Sequence, residues 1–443
     1  MEIKVFYVPG ISHFSYAVVG QSGIAVIDPK RMIEDYLELQ KATSVPITHI
    51  LLTHHHADFI SGHVLLAEAT GAEVHVSERV EEGEEVDLGD VVIKAIKTPG
   101  HTPEHVSYLL YEKAYGDKVP FAVFTGDSLF SGDVGRPDLF GPEAQEELTG
   151  KLFETMERYR ELPDHVLVYP AHGAGSFCGK RLSQRCPSSI GYEKLNNPML
   201  RCEDYQEFRR LLLENMPTPP PYYFSVSKRN RAEEGLDRPY RGPKALSLKD
   251  LRGEGRLVVD LRDQAAFAAC HIPGSINIAA DVHFSMGAGF VLEPEEEIVL
   301  VGEPWQMEYA LSILYMMGFD RVVGVVDNAV EKWRSGALPF ESFSYLEPQR
   351  AFELVEKKDA IIVDVRTETE YQEEHVKGAL HIPLVNLKGA IDELPSDKLI
   401  IFQCGHGCRG SLAASIAKRS GLSNVANMAG GLLAWKARGL PLS

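Results

Sequence analysis

The chain has 443 residues, of which 44% are hydrophobic and 24% charged, a composition typical of globular domains and not of disordered or collagen-like proteins. Asp and Glu total 63 against 45 Lys and Arg, which gives a formal net charge of −18. That charge repels phosphate backbones and anionic lipid, so neither nucleic acid nor a membrane surface is expected as a partner.

Targeting signals and cysteine usage indicate the compartment. No apolar run reaches the ~18 residues of a membrane span, and residues 1–6 lack the basic and apolar regions of a signal peptide. Cysteines are too sparse for a disulfide scaffold. We therefore expect a cytoplasmic protein whose cysteines act, if at all, as thiols: Cys178, Cys186, Cys202, Cys270, Cys404 and Cys408.

The first half of the chain alternates strand-like and helix-like segments. Residues 4–8 and 23–27 are β-branched and aromatic runs, whereas residues 31–42 and 63–70 have the apolar spacing of helices. Such alternation predicts a layered α/β fold. A proline-rich and then charged stretch over residues 216–244 indicates an extended connection, so the first domain is predicted over residues 1–240.

The remaining chain contains an internal repeat. Asp260-Leu261-Arg262 and the following His271-Ile272-Pro273-Gly274 recur 104 residues later as Asp364-Val365-Arg366 and His375-Val376-Lys377-Gly378. The repeat predicts similar α/β domains over residues 241–342 and 343–443, so the protein is expected to be a multidomain α/β protein.

Motifs rich in histidine and aspartate follow predicted strands of the first domain, where an α/β layer builds its sites. Imidazole and carboxylate groups are suitable ligands for a divalent transition metal. The sequence therefore predicts a metal centre formed by four segments: Thr53-His54-His55-His56-Ala57-Asp58, Thr98-Pro99-Gly100-His101-Thr102, Phe124-Thr125-Gly126-Asp127-Ser128 and Tyr169-Pro170-Ala171-His172-Gly173.

This H-x-H-x-D pattern, with the later G-H-T and T-G-D motifs, resembles the metallo-β-lactamase superfamily over about residues 1–200, which implies an αββα sandwich. Dinuclear hydrolases such as glyoxalase II have a further histidine where this chain has Phe59. A phenyl ring cannot coordinate a metal, so a single metal ion is expected. Two histidines and one carboxylate that leave positions open are typical of non-haem Fe(II).

Within the superfamily the chain looks like the persulfide dioxygenases. That resemblance implies one Fe(II) per chain, with zinc as a substitute metal, on His54, His101 and Asp127. His56 is either a neighbour of the iron or a ligand. Asp58 and His172 are expected to orient ligands and bound water by hydrogen bonds.

Residues outside these motifs receive weaker predictions. Arg136, in a Gly-Arg-Pro-Asp segment, either pairs with a substrate carboxylate or holds its own loop through an Arg–Asp pair. Other histidines of this domain are expected at the surface or in the core: His13, His49, His55, His63, His75, His105 and His165.

A thiol motif follows an apolar strand in the last domain. Cys404 begins the loop Gly405-His406-Gly407-Cys408-Arg409, and a helix-like stretch follows. Backbone N–H groups at a helix start favour a thiolate and would hold an anionic persulfide. Cys404 is therefore the predicted nucleophile, Arg409 its charge partner, and Gly405, His406, Gly407 and Cys408 the substrate-binding loop. Cys408 is expected to be a packed thiol inside this loop, with a Cys404–Cys408 redox pair as the alternative.

The C-x-x-G-x-R loop, Asp364-x-Arg366 and the Gly430-Gly431-x-x-x-Trp435 ending resemble the rhodanese sulfurtransferases over residues 345–443. A phosphatase loop has five residues between Cys and Arg, whereas four lie between Cys404 and Arg409, so phosphatases and arsenate reductases are disfavoured. The middle domain has neither cysteine nor arginine at the equivalent loop and is predicted to be a structural copy, either a spacer or a docking module.

The whole chain thus resembles hybrid persulfide dioxygenase and rhodanese proteins of sulfide detoxification. This implies oxidation of a low-molecular-weight thiol persulfide by O₂ to sulfite, coupled to thiosulfate formation or consumption through Cys404. A homo-oligomer is expected from the superfamily. The alternatives are a glyoxalase II-like thioester hydrolase and a non-catalytic sulfur-relay protein. The carrier thiol, the direction of sulfur flow and the roles of Cys178, Cys186 and Cys202 stay open.

Overall fold

The computed structural model describes residues 1–116, 118–252 and 255–443. These residues form two compact units, Met1–Tyr240 and Arg241–Ser443. Among the residues described, no helix is both long and apolar enough to cross a bilayer.

The first unit contains two sheets. One has the strand order β1-β2-β3-β4-β5 and the other the order β11-β10-β9-β8-β7-β6. The strands are β1 (Glu2–Val8), β2 (His13–Val19), β3 (Ile24–Ile27), β4 (Ile47–Leu51), β5 (Glu73–His75), β6 (Glu85–Asp87), β7 (Val91–Lys97), β8 (Val106–Glu112), β9 (Ala122–Gly126), β10 (Leu167–Pro170) and β11 (Ser188–Ser189).

Helices cover the outer faces of these sheets. Leu51 and Phe124 belong to a core between the sheets, whereas Ile50 packs with Tyr36 and Leu66 of the helices outside the first sheet. The layers are therefore helix, sheet, sheet, helix, which is the predicted αββα sandwich. The helices are α1 (Glu34–Thr43), α2 (His63–Thr70), α3 (Pro142–Glu161), α4 (Ile190–Asn196), α5 (Pro198–Arg201), α6 (Tyr205–Leu213) and α7 (Tyr222–Ala232).

The extended connection expected over residues 216–244 is wrong for its middle part, which forms helix α7. The buried residues of this helix are Tyr222, Tyr223, Val226 and Asn230, and they recur at helical spacing. Tyrosine and asparagine weaken the apolar signal of that face, so the sequence pattern resembled a polar linker.

The second unit contains two parallel sheets that correspond to the repeat. The middle domain has the strand order β13-β12-β14-β15. Its elements are β12 (Arg256–Asp260), α8 (Gln264–Ala269), β13 (Ile276–Asn277), α9 (Phe284–Val291), β14 (Glu297–Gly302), α10 (Pro304–Met316), β15 (Val322–Asp327) and α11 (Ala329–Ser335).

The last domain has the order β16-β20-β19-β17-β18. Its strands are β16 (Ser344–Leu346), β17 (Ala360–Asp364), β18 (Leu380–His381), β19 (Leu399–Gln403) and β20 (Val425–Met428). Its helices are α12 (Pro348–Glu356), α13 (Glu368–Glu373), α14 (Leu387–Ala390), α15 (Cys408–Arg419) and α16 (Gly431–Ala437).

Equivalent hydrogen bonds recur in the two repeats. Arg262 binds the carboxylate of Asp260 through Nε and Nη2, and Arg366 binds Asp364 in the same way. Trp333 Nε1 donates to the carbonyl of Pro339, and Trp435 Nε1 donates to that of Pro441. The sequence repeat therefore encodes the same buried ion pair and the same closing contact of each domain.

Candidate functional site

His54, His101 and Asp127 come together at one edge of the sandwich. They follow β4, β7 and β9, and each is completely or almost completely buried. His54 Nε2 lies 3.7 Å and His101 Nε2 3.5 Å from Asp127 Oδ2. One donor atom from each residue can be chosen so that all lie within 4.8 Å of one another.

Hydrogen bonds fix the tautomers of both histidines. Thr53 Oγ1 donates to Asp28 Oδ2 at 2.7 Å, so His54 Nδ1, at 2.9 Å from that hydroxyl, is the donor to it. His101 Nδ1 donates to the carbonyl of Arg136 at 2.8 Å. With the proton on Nδ1, each ring directs an Nε2 lone pair toward Asp127, the state required of a metal ligand.

The oxygens of Asp127 have separate partners. Oδ1 accepts a 2.7 Å hydrogen bond from His172 Nδ1, whereas Oδ2 faces His54 and His101 and has no hydrogen-bond partner among the residues described. Burial alone would raise the pKa of Asp127, but His172 and then His101 and His56 lower it well below its usual range. The carboxylate is therefore ionised and has one oxygen free.

His172 lies between two carboxylates. Its Nδ1 contacts Asp127 Oδ1 and its Nε2 contacts Asp58 Oδ2, both at 2.7 Å. Burial acts to lower the pKa of His172, but Asp127 and Asp58 raise it well above its ordinary value. By contrast, burial and neighbouring imidazoles lower the pKa of His54. His172 thus links Asp58 and Asp127, while His54 stays neutral.

The site fits a divalent metal. His54 Nε2 and Asp127 Oδ2 are buried polar atoms that lack a hydrogen-bond partner in the part of the chain described, and such atoms are costly unless something binds them. Two neutral imidazoles and one carboxylate match the ligand preferences of Fe(II) and Zn(II). The residues that could hold a metal ion are therefore His54, His101 and Asp127.

Phe59 occupies the neighbouring space. Its fully buried ring lies 4.0 Å from the ring centroid of His13 and 4.4 Å from that of His56. His56 Nε2 lies 3.3 Å from Asp28 Oδ1, and His56 groups with His13 and His172 and not with the other three residues. A phenyl group, which cannot coordinate a metal, therefore packs directly against His56 and His13.

Helix α7 supports the loop that carries these residues. Asn230 Nδ2 donates to the carbonyls of His56 and Phe59, both at 2.8 Å, and the Tyr222 hydroxyl donates to the carbonyl of Asp58. Sequence reasoning missed this role because residues 216–244 were assigned to a connection. The Asn at helical spacing from Tyr222 was the available signal.

Arg136 is committed to contacts within the chain. Its Nε and Nη2 donate to the carboxylate of Asp138, both at 2.7 Å, and its guanidinium also bonds the carbonyls of Phe177 and Pro217. The side chain is fully buried. These contacts favour the structural Arg–Asp pair over recognition of a substrate carboxylate.

The cysteines near the first domain's end have different surroundings. Cys178 is buried, and its sulfur lies within 4.8 Å of ligand atoms of Asp58 and His172. Burial, together with Asp127 and Asp58, raises the pKa of Cys178 well above its ordinary value. Cys186 contacts the Tyr16 hydroxyl, and Cys202 contacts the carbonyl of Asp204. Of these three cysteines, Cys178 is therefore the one that lies beside the candidate metal site.

Cys404 follows β19 and is buried. The amide of Gly407 donates to Cys404 Sγ at 3.1 Å. Gly431 packs over the loop so closely that a Cβ there would lie 2.1 Å from the Cys404 carbonyl oxygen, and its φ is +55°. Glycine is therefore required at position 431 for the loop to close around the thiol.

Arg409 is held by a residue that sequence analysis did not identify. Its Nη1 and Nη2 donate to the carboxylate of Glu370, both at 2.6 Å. Glu370 is also the third residue of α13 and forms a capping box with Thr367 at the start of that helix. The T-x-x-E pattern was a readable helix signal, but its pairing with Arg409 depends on the tertiary fold.

Cys408 differs from the prediction in that it is the first residue of α15 and not an interior loop residue. The middle domain contacts it: Gln264 Nε2 donates to Cys408 Sγ at 3.1 Å, and Cys408 donates to Asp281 Oδ2 at 3.6 Å. Burial, followed by Asp281 and Cys404, raises the pKa of Cys408 to about 12. Cys408 is thus a packed, protonated thiol.

The middle domain also borders the loop at His406, whose ring stacks on His283 with 6.0 Å between centroids. Its own equivalent loop is closed by a capping box between Glu303 and Gln306 at the start of α10. The middle domain has no thiol there, and its side chains contact the last domain at His406 and Cys408, as a structural or docking module would.

A histidine–carboxylate centre in an αββα sandwich, followed by paired parallel-sheet domains with one thiol loop, defines a multidomain α/β protein with a candidate metal site and a buried thiol. The model of the metallo-beta-lactamase superfamily matches residues 8–80, and that of the rhodanese-like domain matches residues 244–336 and 347–438. The solved structure of a metallo-beta-lactamase from Staphylococcus aureus subsp. aureus COL is 32% identical, covers 74% of this chain and 98% of its own, and has a TM-score of 0.68. The chain belongs to the metallo-β-lactamase superfamily and carries two rhodanese-like domains.

Other relatives match the first domain. A hydroxyacylglutathione hydrolase of Rhodospirillum rubrum is 35% identical over 159 residues, which cover 33% of this chain. The match spans 56% of that relative's length. The solved structure of ETHE1 from Myxococcus xanthus is 29% identical, covers 52% of this chain and 99% of its own, and has a TM-score of 0.44.

Proposed function

We propose that this protein oxidises the sulfane sulfur of a low-molecular-weight thiol persulfide with O₂ and transfers sulfane sulfur through Cys404. In the first reaction a persulfide RSSH, O₂ and water yield the thiol RSH, sulfite and two protons. The sulfane sulfur loses four electrons, and O₂ accepts them. One Fe(II) per chain on His54, His101 and Asp127 would supply the O₂ chemistry.

Phe59 is the observation that carries this proposal. Its buried ring packs between His13 and His56 at the place where a second metal would need a ligand. A thioester hydrolase with a metal pair depends on that ligand, whereas a single ion on two histidines and one carboxylate keeps positions for two reactants. The position of Phe59 thus supports a single ion and, with it, oxygenation over hydrolysis at a metal pair.

The residues around the centre would keep the ligands oriented. Thr53 and Asp28 hold the His54 tautomer, and the Arg136 carbonyl holds that of His101. His172 links Asp127 to Asp58, so the single free oxygen of Asp127 keeps its direction. Such supports commonly affect affinity and activity nearly as much as the ligands do.

Cys404 would carry sulfur as a persulfide. Attack of sulfite on the outer sulfur of Cys404-S-S⁻ forms thiosulfate and returns the Cys404 thiolate, a step in which one S–S bond breaks and another S–S bond forms. The Gly407 amide and the nearby Arg409 would stabilise the anion on Cys404. Cys408, as a protonated thiol, would not compete as a nucleophile.

Oxygen uptake by the purified full chain tests the first reaction. With a soluble persulfide, His54→Ala should lower O₂ consumption and sulfite formation at least about 100-fold, because one of three ligands is lost. His165→Ala, at an exposed histidine, should retain normal rates. Undiminished O₂ uptake by His54→Ala would reject the oxygenase proposal and favour a binding or relay role.

Thioester hydrolysis is the second candidate, favoured by the name of the Rhodospirillum rubrum relative. Metal analysis and an assay with a glutathione thioester distinguish the two functions. Two metals at the centre formed by His54, His101 and Asp127, together with rapid thioester hydrolysis, would establish the hydrolase. One iron per chain with persulfide-dependent O₂ uptake would establish the dioxygenase.

A further inference from the structure

A cluster of metal-binding side chains lies away from the centre described above. His49 is on β4, and Glu73 and His75 are on the neighbouring parallel strand β5. His49 pairs in register with Glu73, and Leu51 pairs with His75. Since strand side chains alternate between faces, His49, Glu73 and His75 share one face.

The donor atoms of this cluster are close enough to share an ion. One ligand atom from each residue can be chosen so that all lie within 4.8 Å of one another, and the two imidazole centroids are 5.5 Å apart. Glu73 is exposed and the histidines are half-buried, so an ion could reach the cluster from solvent.

Hydrogen bonds engage Nδ1 of both histidines. His49 Nδ1 lies 2.9 Å from the hydroxyl of Thr48, so Nε2 is the remaining donor atom of that ring. His75 Nδ1 lies 2.7 Å from Glu84 Oε1 and donates to that carboxylate. His75 therefore keeps an Nε2 lone pair, and a carboxylate behind a metal-binding histidine is a common supporting contact.

His75 Nε2 is itself buried and lacks a hydrogen-bond partner within the described ranges. A buried polar atom of this kind requires a ligand or water to offset its desolvation. The cluster thus combines imidazole nitrogen donors with the oxygen of a carboxylate.

We propose that His49, Glu73 and His75 form a divalent metal site, with Zn²⁺ as the ion that fits two imidazoles and a carboxylate. Glu84 is a positioning residue for His75. The ion would join edge strand β5 to β4, the strand that leads into His54. The site is independent of the chemistry proposed at Asp127.

Equilibrium dialysis of the iron-loaded full chain against buffered zinc tests the proposal, with zinc counted by mass spectrometry. The wild type should bind one more zinc ion per chain than the His75→Ala variant. The Glu73→Ala variant, which is altered at an exposed position, should require at least about 10-fold more free zinc for half-saturation. Glu84→Gln keeps every ligand and should weaken zinc binding by about 10-fold.

His165→Ala controls for zinc held at an unrelated exposed histidine and should match wild type. Zinc exchanged into the iron centre is common to all variants and cancels in the comparison. Equal zinc content and equal half-saturation in wild type, Glu73→Ala and Glu84→Gln would overturn the proposal, even if His75→Ala failed to fold.

Discussion

For the substitution Glu370→Gln the structure predicts the size of the change in the free energy of unfolding. Burial by itself would raise the pKa of Glu370, but its bonds to Arg409 lower that pKa from 4.5 to about 2. The difference corresponds to a ceiling of roughly 3 kcal/mol. Because the Glu370 side chain is 35% exposed, solvent screening reduces the expected loss of unfolding free energy to about 1–2 kcal/mol.

Urea unfolding of the full chain, followed by tryptophan fluorescence, measures this loss. The tryptophans of the sequence are Trp305, Trp333 and Trp435, so the signal reports on the unit that contains Glu370. Glu373→Gln, at an exposed position of the same helix, is the matched control and should change unfolding free energy by less than about 0.5 kcal/mol.

The pH dependence tests the electrostatic origin. A folded-state pKa below the unfolded value stabilises the protein fully above about pH 4.5, and this stabilisation is lost as the pH falls toward about 2. The gap between wild type and Glu370→Gln should therefore stay constant from about pH 8 to about pH 6 and narrow below about pH 4.5. The reasoning would be refuted if the wild type and Glu370→Gln had the same unfolding free energy near neutral pH, or if the difference between them did not narrow in acid.

Three further substitutions test the candidate sites. Cys404→Ser should lower sulfur transfer from thiosulfate at least about 1,000-fold, measured as sulfite or thiocyanate formed. Cys408→Ser should retain most of that activity. An equal loss of sulfur transfer in both variants would reject Cys404 as the sole carrier. Phe59→His places an imidazole beside Asp58, and metal analysis should find more metal per chain than in the wild type, whereas Phe59→Leu should match the wild type. Asp28→Asn weakens the acceptor behind Thr53 and should reduce iron affinity about 10-fold by metal titration, and unchanged affinity would show that this support is dispensable.

The sequence by itself determined the architecture and predicted the segments that carry the candidate ligands. Strand-end motifs predicted that the segments containing His54, His101 and Asp127 meet, since polar residues after parallel or mixed strands collect at one sheet edge, and the structure brings their donor atoms within 4.8 Å of one another. The 104-residue repeat determined the paired parallel-sheet domains, because the same Asp-x-Arg spacing makes the same buried pair at Asp260 and Asp364. Local patterns suffice wherever the relevant partners are close in sequence or repeat at a fixed spacing.

Only the tertiary structure decided which distant groups support these residues. Asn230 reaches the His56 carbonyl across 174 positions, and Gln264 reaches Cys408 across 144. Arg136 had alternatives in the sequence, and its burial against Asp138 and Pro217 favours one of them. Such contacts follow from packing of whole elements, so neither periodicity nor a short motif encodes them, and they set the orientation, burial and charge of each site.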